Sequence, residues 1–190
     1  SSTSGINVNL VTGTVSDDGL GGSDTITGFA TEIRGSDHAD IIVGSDLDES
    51  FIGRAGNDSI DGGDGFDRIR YDRGGMTSAV NVNLETGTAT GEFGGQAFTH
   101  TLSNIEWVRG SSFGDTLVSA IFGETWLDGN GGNDVLTGGA SNNTIDGGDD
   151  DDTIDTRDND GLGAGDLVIG SRGNDTIIYT SAVVGGQSLT

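Results

Sequence analysis

The chain has 190 residues, of which 31 are acidic and 8 are basic, and every basic residue is arginine, so its formal charge is −23. Such a charge argues against nucleic acid or an anionic membrane as a partner and favours cations. The absence of cysteine excludes disulfides and thiolate metal sites, and no stretch approaches the ~20 apolar residues that a transmembrane helix needs.

The first predicted elements are two strands with the same pattern. Apolar and polar side chains alternate over residues 6–10, so Ile6, Val8 and Leu10 share one face of a strand. The pattern returns at residues 80–84, 74 positions later. No segment has a sustained helical periodicity, so we predict an all-β chain.

A duplication extends beyond these strands. Segment 33–36 returns at residues 108–111, 75 positions later, so the chain repeats a unit of about 75 residues. Repeats at two length scales predict a solenoid. The predicted organisation is a single elongated solenoid over residues 1–190, with internal copies at approximately 6–75 and 80–155 and a C-terminal repeat pair at 161–178.

Within each copy, a nine-residue phrase recurs with the form Gly-Gly-x-Gly-x-Asp-x-U-x, where U is a large apolar residue. Its clearest examples are residues 53–61, 62–70 and 129–137, and a looser unit lies at residues 19–27. The glycines allow a tight turn, the sixth residue supplies a carboxylate, and the U residue faces a core.

The spacing of these carboxylates predicts metal sites. If each unit is a turn followed by a short strand, two units complete one coil, and turns on one side recur every eighteen residues, as Asp134 and Asp152 do. Strands in a sheet lie roughly 4.8 Å apart and Ca²⁺ takes oxygen ligands at about 2.3–2.6 Å, so an ion between successive turns reaches both carboxylates. Backbone carbonyl groups of the glycine-rich turns would supply the remaining oxygens. Since each site uses two coils, binding and folding become one event.

The candidate calcium ligands are the acidic residues at the sixth places of the repeats, namely Asp24, Asp40, Glu49, Asp58, Asp67, Asp115, Asp134, Asp152, Asp166 and Asp175. Thr125 and Asn143 occupy sixth places without a carboxylate. We therefore expect several Ca²⁺ ions, distributed over two series of turns.

With these repeats the chain resembles the RTX, or repeats-in-toxin, family. The resemblance implies a right-handed parallel β-roll or β-helix solenoid, with calcium ions between stacked glycine-rich turns. It also implies type I secretion from a Gram-negative bacterium in an unfolded state, and folding outside the cell, where calcium is abundant. The chain starts at Ser1 without an apolar signal region, so we expect a mature product or a piece of a longer protein.

The expected function is a non-catalytic, calcium-binding module that folds after secretion and stabilises an extracellular or cell-surface protein. The alternative is an interaction module, such as an adhesin, a surface-layer segment or a polysaccharide-binding unit, and end-to-end self-association is a further candidate interaction. A sugar-stacking surface would consist of Trp107, Trp126, Phe113 and Phe122. A polysaccharide lyase or epimerase would need a cluster of basic residues, and the chain contains no lysine, so we predict no catalytic activity.

Two other features are expected to lie at the surface. His38 and His100 have no zinc-like or catalytic spacing, so we expect both to be surface residues. The acidic run 146–160 matches an EF-hand loop only in part, because Thr156 and Leu167 occupy its two anchor positions. We therefore expect this run to be a solvated loop that interrupts the solenoid.

Overall fold

The computed structural model describes residues 2–157 and 165–179, and every regular element in this part of the chain is a strand. In chain order the strands are β1 (Ile6–Asn9), β2 (Thr14–Asp18), β3 (Asp24–Thr25), β4 (Glu32–Arg34), β5 (Ile41–Val43), β6 (Ser50–Ile52), β7 (Ser59–Asp61), β8 (Arg68–Arg70), β9 (Asn81–Asn83), β10 (Thr88–Phe93), β11 (Gln96–Ser103), β12 (Trp107–Arg109), β13 (Thr116–Val118), β14 (Thr125–Asp128), β15 (Val135–Thr137), β16 (Asn143–Asp149), β17 (Thr153–Asp155), β18 (Leu167–Arg172) and β19 (Thr176–Ile178).

The strands form two sheets, and the chain alternates between them. The second sheet contains β4, β6, β8, β12, β14, β16 and β18, each parallel to its neighbours. The first sheet is parallel through β1, β5, β7 and β11, and again through β9, β13, β15, β17 and β19. The result is a parallel β-solenoid of about seven turns, which confirms the predicted all-β fold class.

The core consists of one inward-facing residue from each short strand. The nine largest of these aliphatic and aromatic side chains are completely buried: Ile42, Phe51, Ile60, Ile69, Leu117, Leu127, Leu136, Ile145 and Ile154. Because the strands are parallel and in register, equivalent residues stack, and Leu136 lies between Leu117 and Ile154. Burying such a side chain stabilises the fold by about 1.5–3 kcal/mol, so the stack is a thin but continuous core.

An antiparallel hairpin, β10–β11, interrupts the first sheet. Strand β11 is parallel to β7, whereas β10 is antiparallel both to β11 and to β9. The hairpin therefore places two strands between β9 and β7 in the first sheet. Nothing in the repeat pattern predicted this insertion.

Two predicted segments differ from expectation. The looser unit at 19–27 does not form a coil, because Asp24 lies on the exposed strand β3, which pairs antiparallel with β2 at the edge of the first sheet. The acidic run is also not a loop as far as residue 157, since β16 and β17 include residues 146–149 and 153–155. Residues 158–160 of that run lie outside the described part of the chain.

Candidate functional site

The sixth-place residues stack in two columns, one along each edge of the solenoid. The first column lies where the chain enters the first sheet and contains Asp40, Asp58, Asp115, Asp134, Asp152 and Asp175. The second column lies where the chain enters the second sheet and contains Glu49, Asp67, Glu106 and Asp166, together with Thr125 and Asn143. Nine of the ten predicted ligands are thus in a column, and Asp24 is in neither.

One oxygen of most stacked carboxylates accepts a hydrogen bond from a backbone N–H of the preceding turn; Glu49 is bonded by Ser45 of its own turn instead. The backbone N–H of Asp115 donates to Oδ1 of Asp134 at 2.6 Å, and the N–H of Asp134 donates to Oδ1 of Asp152 at 2.8 Å. In the second column, the N–H of Glu49 donates to Oδ1 of Asp67 at 2.8 Å. These bonds fix the distance between turns and hold each carboxylate in one orientation.

The other oxygen has no hydrogen-bond partner in several turns. Oδ2 of Asp67, Asp134 and Asp152 is buried and accepts no hydrogen bond. A Cβ atom on Gly129 would overlap both Oδ2 of Asp134 and the carbonyl oxygen of Gly147 in the next turn. Only glycine therefore lets a carboxylate oxygen and a carbonyl oxygen converge there. These are the oxygen ligands that Ca²⁺ prefers, so the residues present fit the ion.

Electrostatics lead to the same conclusion. The pKa of Asp134 is raised to about 8, mainly by burial; the charges of Asp115 and Asp152 contribute to this rise, and the hydrogen bond from the Asp115 backbone opposes it. Burial likewise raises the pKa of Asp58 and of Asp67 to about 7. Ionised carboxylates are therefore costly in these turns, and a divalent cation would remove that cost.

Three other turns satisfy their carboxylates internally. The N–H of Ser111 donates to Oδ2 of Asp115 at 2.5 Å, and its hydroxyl donates to Oδ1 at 2.8 Å. Ser36 makes the equivalent two bonds to Asp40, both at 2.7 Å. The N–H and hydroxyl of Ser45 bond Glu49 in the same way. A serine at the second place of the repeat thus occupies the oxygens that elsewhere face the next turn.

The described residues contain no group of three or more His, Cys, Asp or Glu side chains that could hold a metal ion by themselves. Backbone carbonyl oxygens must therefore complete any calcium site in this part of the chain. Asp166 accepts a bond from the N–H of Asn143 at 2.8 Å, and Asp175 accepts one from the N–H of Asp152 at 3.1 Å. Both predicted ligands are thus in the columns, 23 residues after their bonded partners rather than the eighteen of the regular coils.

Sequence reasoning missed one column residue, Glu106. Its Oε2 accepts a bond from the N–H of Asp67 at 2.9 Å, so it stands at the sixth place of the next turn. Burial raises its pKa. The signal was present, because Glu106 comes two residues before the buried Val108, the same phase that each aspartate has with its U residue. The turn before it lacks glycine, which hid the repeat.

The two histidines differ in position. His38 is exposed, with Nε2 3.3 Å from the backbone oxygen of Ser2. The expectation that His100 is a surface residue was wrong, because its side chain is completely buried with Nε2 3.1 Å from Oδ2 of Asp58. Burial lowers the pKa of His100 to about 4, so the imidazole is neutral at pH 7.

The four aromatic residues considered for a sugar-stacking surface do not form one group. Trp107 and Trp126 are neighbours on the second sheet, with nearly parallel rings 4.3 Å apart. The guanidinium of Arg68, on the strand at the other side of Trp107, lies 4.4 Å from the ring centroid. Phe113 and Phe122 lie in turns at opposite edges of the solenoid. The four residues therefore do not share one surface.

Comparison with known proteins agrees with the repeat pattern. The model of the RTX calcium-binding nonapeptide repeat, in four copies, matches residues 43–75, 128–161 and 160–178. No curated protein matches the chain. Within the described residues, no helix has the length and apolar character to cross a membrane. The chain therefore contains the calcium-binding nonapeptide repeats of the RTX family, stacked as a β-solenoid.

Proposed function

We propose that this chain is a non-catalytic module that folds when calcium binds and thereby stabilises a secreted or cell-surface protein of a Gram-negative bacterium. The observation that supports it best is the buried, unpartnered Oδ2 atom of Asp134, which faces the Gly147 carbonyl of the next turn. The family match supports calcium as the ion. Type I secretion and an extracellular location are typical of the family and belong to the proposal.

The coupling of folding to calcium follows from the charge and the burial. At neutral pH the metal-free solenoid would have to bury several carboxylates, each with an oxygen that nothing satisfies. The thin core does little to offset this cost, because each nine-residue unit buries about one large apolar side chain. A calcium ion between two turns bonds to both turns at once, so binding energy becomes folding energy. A chain with a charge of −23 would otherwise favour the open state.

We call the space between one turn of a column and the next turn of the same column the gap behind the first of them. We place the ions in the gaps behind those turns whose carboxylate lacks a serine partner. In the first column these are the gaps behind the turns that contain Asp134 and Asp152; the Asp58 turn also lacks a serine, but there His100 lies beside the carboxylate. In the second column it is the gap between Asp67 and Glu106, where a Cβ atom on Gly62 would overlap the carbonyl oxygen of Asn104. These gaps give the several ions that the repeats predict.

The test is far-UV circular dichroism of the full chain during titration from chelator to ~10 mM calcium, because extracellular calcium modules bind at about 10⁻⁴–10⁻³ M. Magnesium is the control ion. We expect a cooperative transition from coil to β-structure with calcium alone. A chain that already has its β-structure in chelator, and does not respond to calcium, would contradict the proposal.

One turn offers a matched pair of variants. Asp67→Asn removes a buried carboxylate, whereas Asp64→Asn makes the same change at an exposed position three residues earlier. A charged group contributes on the order of 1.5–3 kcal/mol to such an interaction, so Asp67→Asn should raise the calcium midpoint roughly tenfold or more. The midpoint of Asp64→Asn should remain within about twofold of the parent chain. Equal midpoints for the two variants would argue against Asp67 as a ligand.

The alternative is an interaction module for polysaccharide or a cell surface. A glycan that stacks on tryptophan needs an open ring face, and Arg68 and Trp126 cover the two faces of Trp107. Trp126 lies between Trp107 and Thr144 on adjacent strands, which leaves no paired aromatic platform, so we expect no saturable quenching of tryptophan fluorescence by alginate-like or other anionic polysaccharides. Saturable quenching that is lost in Trp126→Ala would favour the interaction module instead.

A further inference from the structure

The gap behind the Asp58 turn differs from the other gaps of the first column. At Gly35, Gly110 and Gly129, the first glycine of a turn lies against the carbonyl oxygen of the first glycine in the next turn. A Cβ atom on Gly35 would be 2.5 Å from the oxygen of Gly53, and one on Gly110 would be 2.6 Å from the oxygen of Gly129. A Cβ atom on Gly53 would instead be 2.6 Å from Cε1 of His100. An imidazole thus stands where the column otherwise has a turn.

The hairpin brings His100 to this place. Thr101 on β11 pairs with Ser59 on β7, so His100 follows Asp58 in the column at the position of a sixth-place residue. Nε2 of His100 lies 3.1 Å from Oδ2 of Asp58, and both side chains are completely buried. The oxygen that faces an open gap in the Asp134 turn therefore faces a ring nitrogen here.

The imidazole is held from its other side as well. The ring of Phe98 stacks on it with centroids 4.1 Å apart, and the hydroxyl of Tyr71 lies 3.4 Å from Nδ1. Tyr71 and Phe98 are themselves buried and stacked. Movement of the His100 ring would therefore require the buried rings of Tyr71 and Phe98 to repack.

We propose that His100 closes the gap behind Asp58 in place of a calcium ion, so that the calcium sites of the first column all lie on the C-terminal side of a metal-free aromatic junction. Nε2 of His100 lies 3.1 Å from Oδ2 of Asp58, although neither atom has a hydrogen-bond partner, and the ring occupies the volume that an ion and its carbonyl ligands would need. This inference rests on the proposed function, because it concerns which gaps take calcium. It also assigns a role to the hairpin: it separates the ion-free turns of Asp40 and Asp58 from the calcium-binding turns of Asp134 and Asp152.

The test is the number of bound calcium ions, measured by native mass spectrometry at saturating calcium for the parent chain, His100→Asp and His100→Asn. Aspartate restores a sixth-place carboxylate, whereas asparagine has the same shape without the charge. We expect His100→Asp to bind one ion more than the parent chain, and His100→Asn to bind the same number as the parent. Equal numbers for the parent chain and a folded His100→Asp variant would overturn the inference.

A crystal structure of the calcium-loaded parent chain decides the matter if His100→Asp does not fold. We expect ions in the gaps behind Asp134 and Asp152, and the His100 ring beside Asp58 without an ion. An ion bound to Asp58 together with ions at the other gaps would overturn this inference and leave the proposed function intact. A chain without calcium in any gap would overturn both.

Discussion

Acid should replace calcium as the trigger for folding. The buried carboxylates of Asp58, Asp67 and Asp134 have pKa values of about 7, 7 and 8 in the metal-free solenoid, against 3.8 for an ordinary aspartate. A group whose pKa is higher in the folded state stabilises that state when protonated. This contribution is complete below pH 3.8 and is lost as the pH rises toward 8.

The size of the effect decides whether the metal-free chain folds. One pKa unit corresponds to about 1.4 kcal/mol, and with allowance for solvent screening at the turns each of the three carboxyls contributes on the order of 3 kcal/mol. Their sum is comparable with the total stability of a small domain, which is about 5–15 kcal/mol. We therefore expect the metal-free chain to be unfolded at pH 8 and to gain β-structure as the pH falls toward 5.

The assay is far-UV circular dichroism in chelator at a series of pH values, at low protein concentration because the isoelectric point is about 4.1. Asp134→Asn is the informative variant, since its amide cannot ionise and should move the folding midpoint to higher pH. The reasoning fails if the metal-free chain remains a coil at pH 5, or if its β-structure is independent of pH between 5 and 8.

Three further predictions concern single positions. In saturating calcium, Leu136→Ala should lower the free energy of unfolding in urea by about 3 kcal/mol, because it leaves a cavity in the stacked core; the half-exposed Val135→Ala should change it by less than about 0.5 kcal/mol, and equal effects would contradict the inward and outward assignment. Gly129→Ala should abolish folding at millimolar calcium, whereas Gly74→Ala, at a position open to solvent, should fold like the parent chain by circular dichroism. Ser111→Ala should cost about 2 kcal/mol by removing two hydrogen bonds, one donated to Asp115 and one accepted from the N–H of Phe113, with the calcium count from native mass spectrometry unchanged; a changed count would refute the internal role of that serine.

Much of the fold was predictable because the repeat fixes turn, ligand and core residue in one phase. The eighteen-residue separation of Asp134 and Asp152 was sufficient to place them in adjacent turns of one column. Their backbone bonds follow from that register. The family resemblance then supplied the expectation of a parallel β-roll.

The remainder depends on contacts between segments that are distant in sequence. Asp24 has the local phase of a ligand, yet antiparallel pairing with β2 places it on an exposed edge. His100 is buried because Tyr71 and Phe98 pack beside it, and no periodicity in the sequence signals that packing. Glu106 has the right phase, but its turn lacks the glycines that mark the other repeats. Repeat patterns predict the regular coils and miss the places where the coils are modified.

The hydrogen bonds along the columns give the solenoid a chemical polarity. With the exception of Glu49, the column carboxylates accept a hydrogen bond from the turn before them, as Asp152 does from the N–H of Asp134, so these coils have a donor side and an acceptor side. Removal of the Asp152 side chain therefore leaves a buried N–H without its partner in the earlier coil. The hydrogen bond lost in this way belongs to the coil on the N-terminal side of the substituted residue. Because donors and acceptors lie on opposite sides of a coil, a coil can pair with its predecessor in one orientation only.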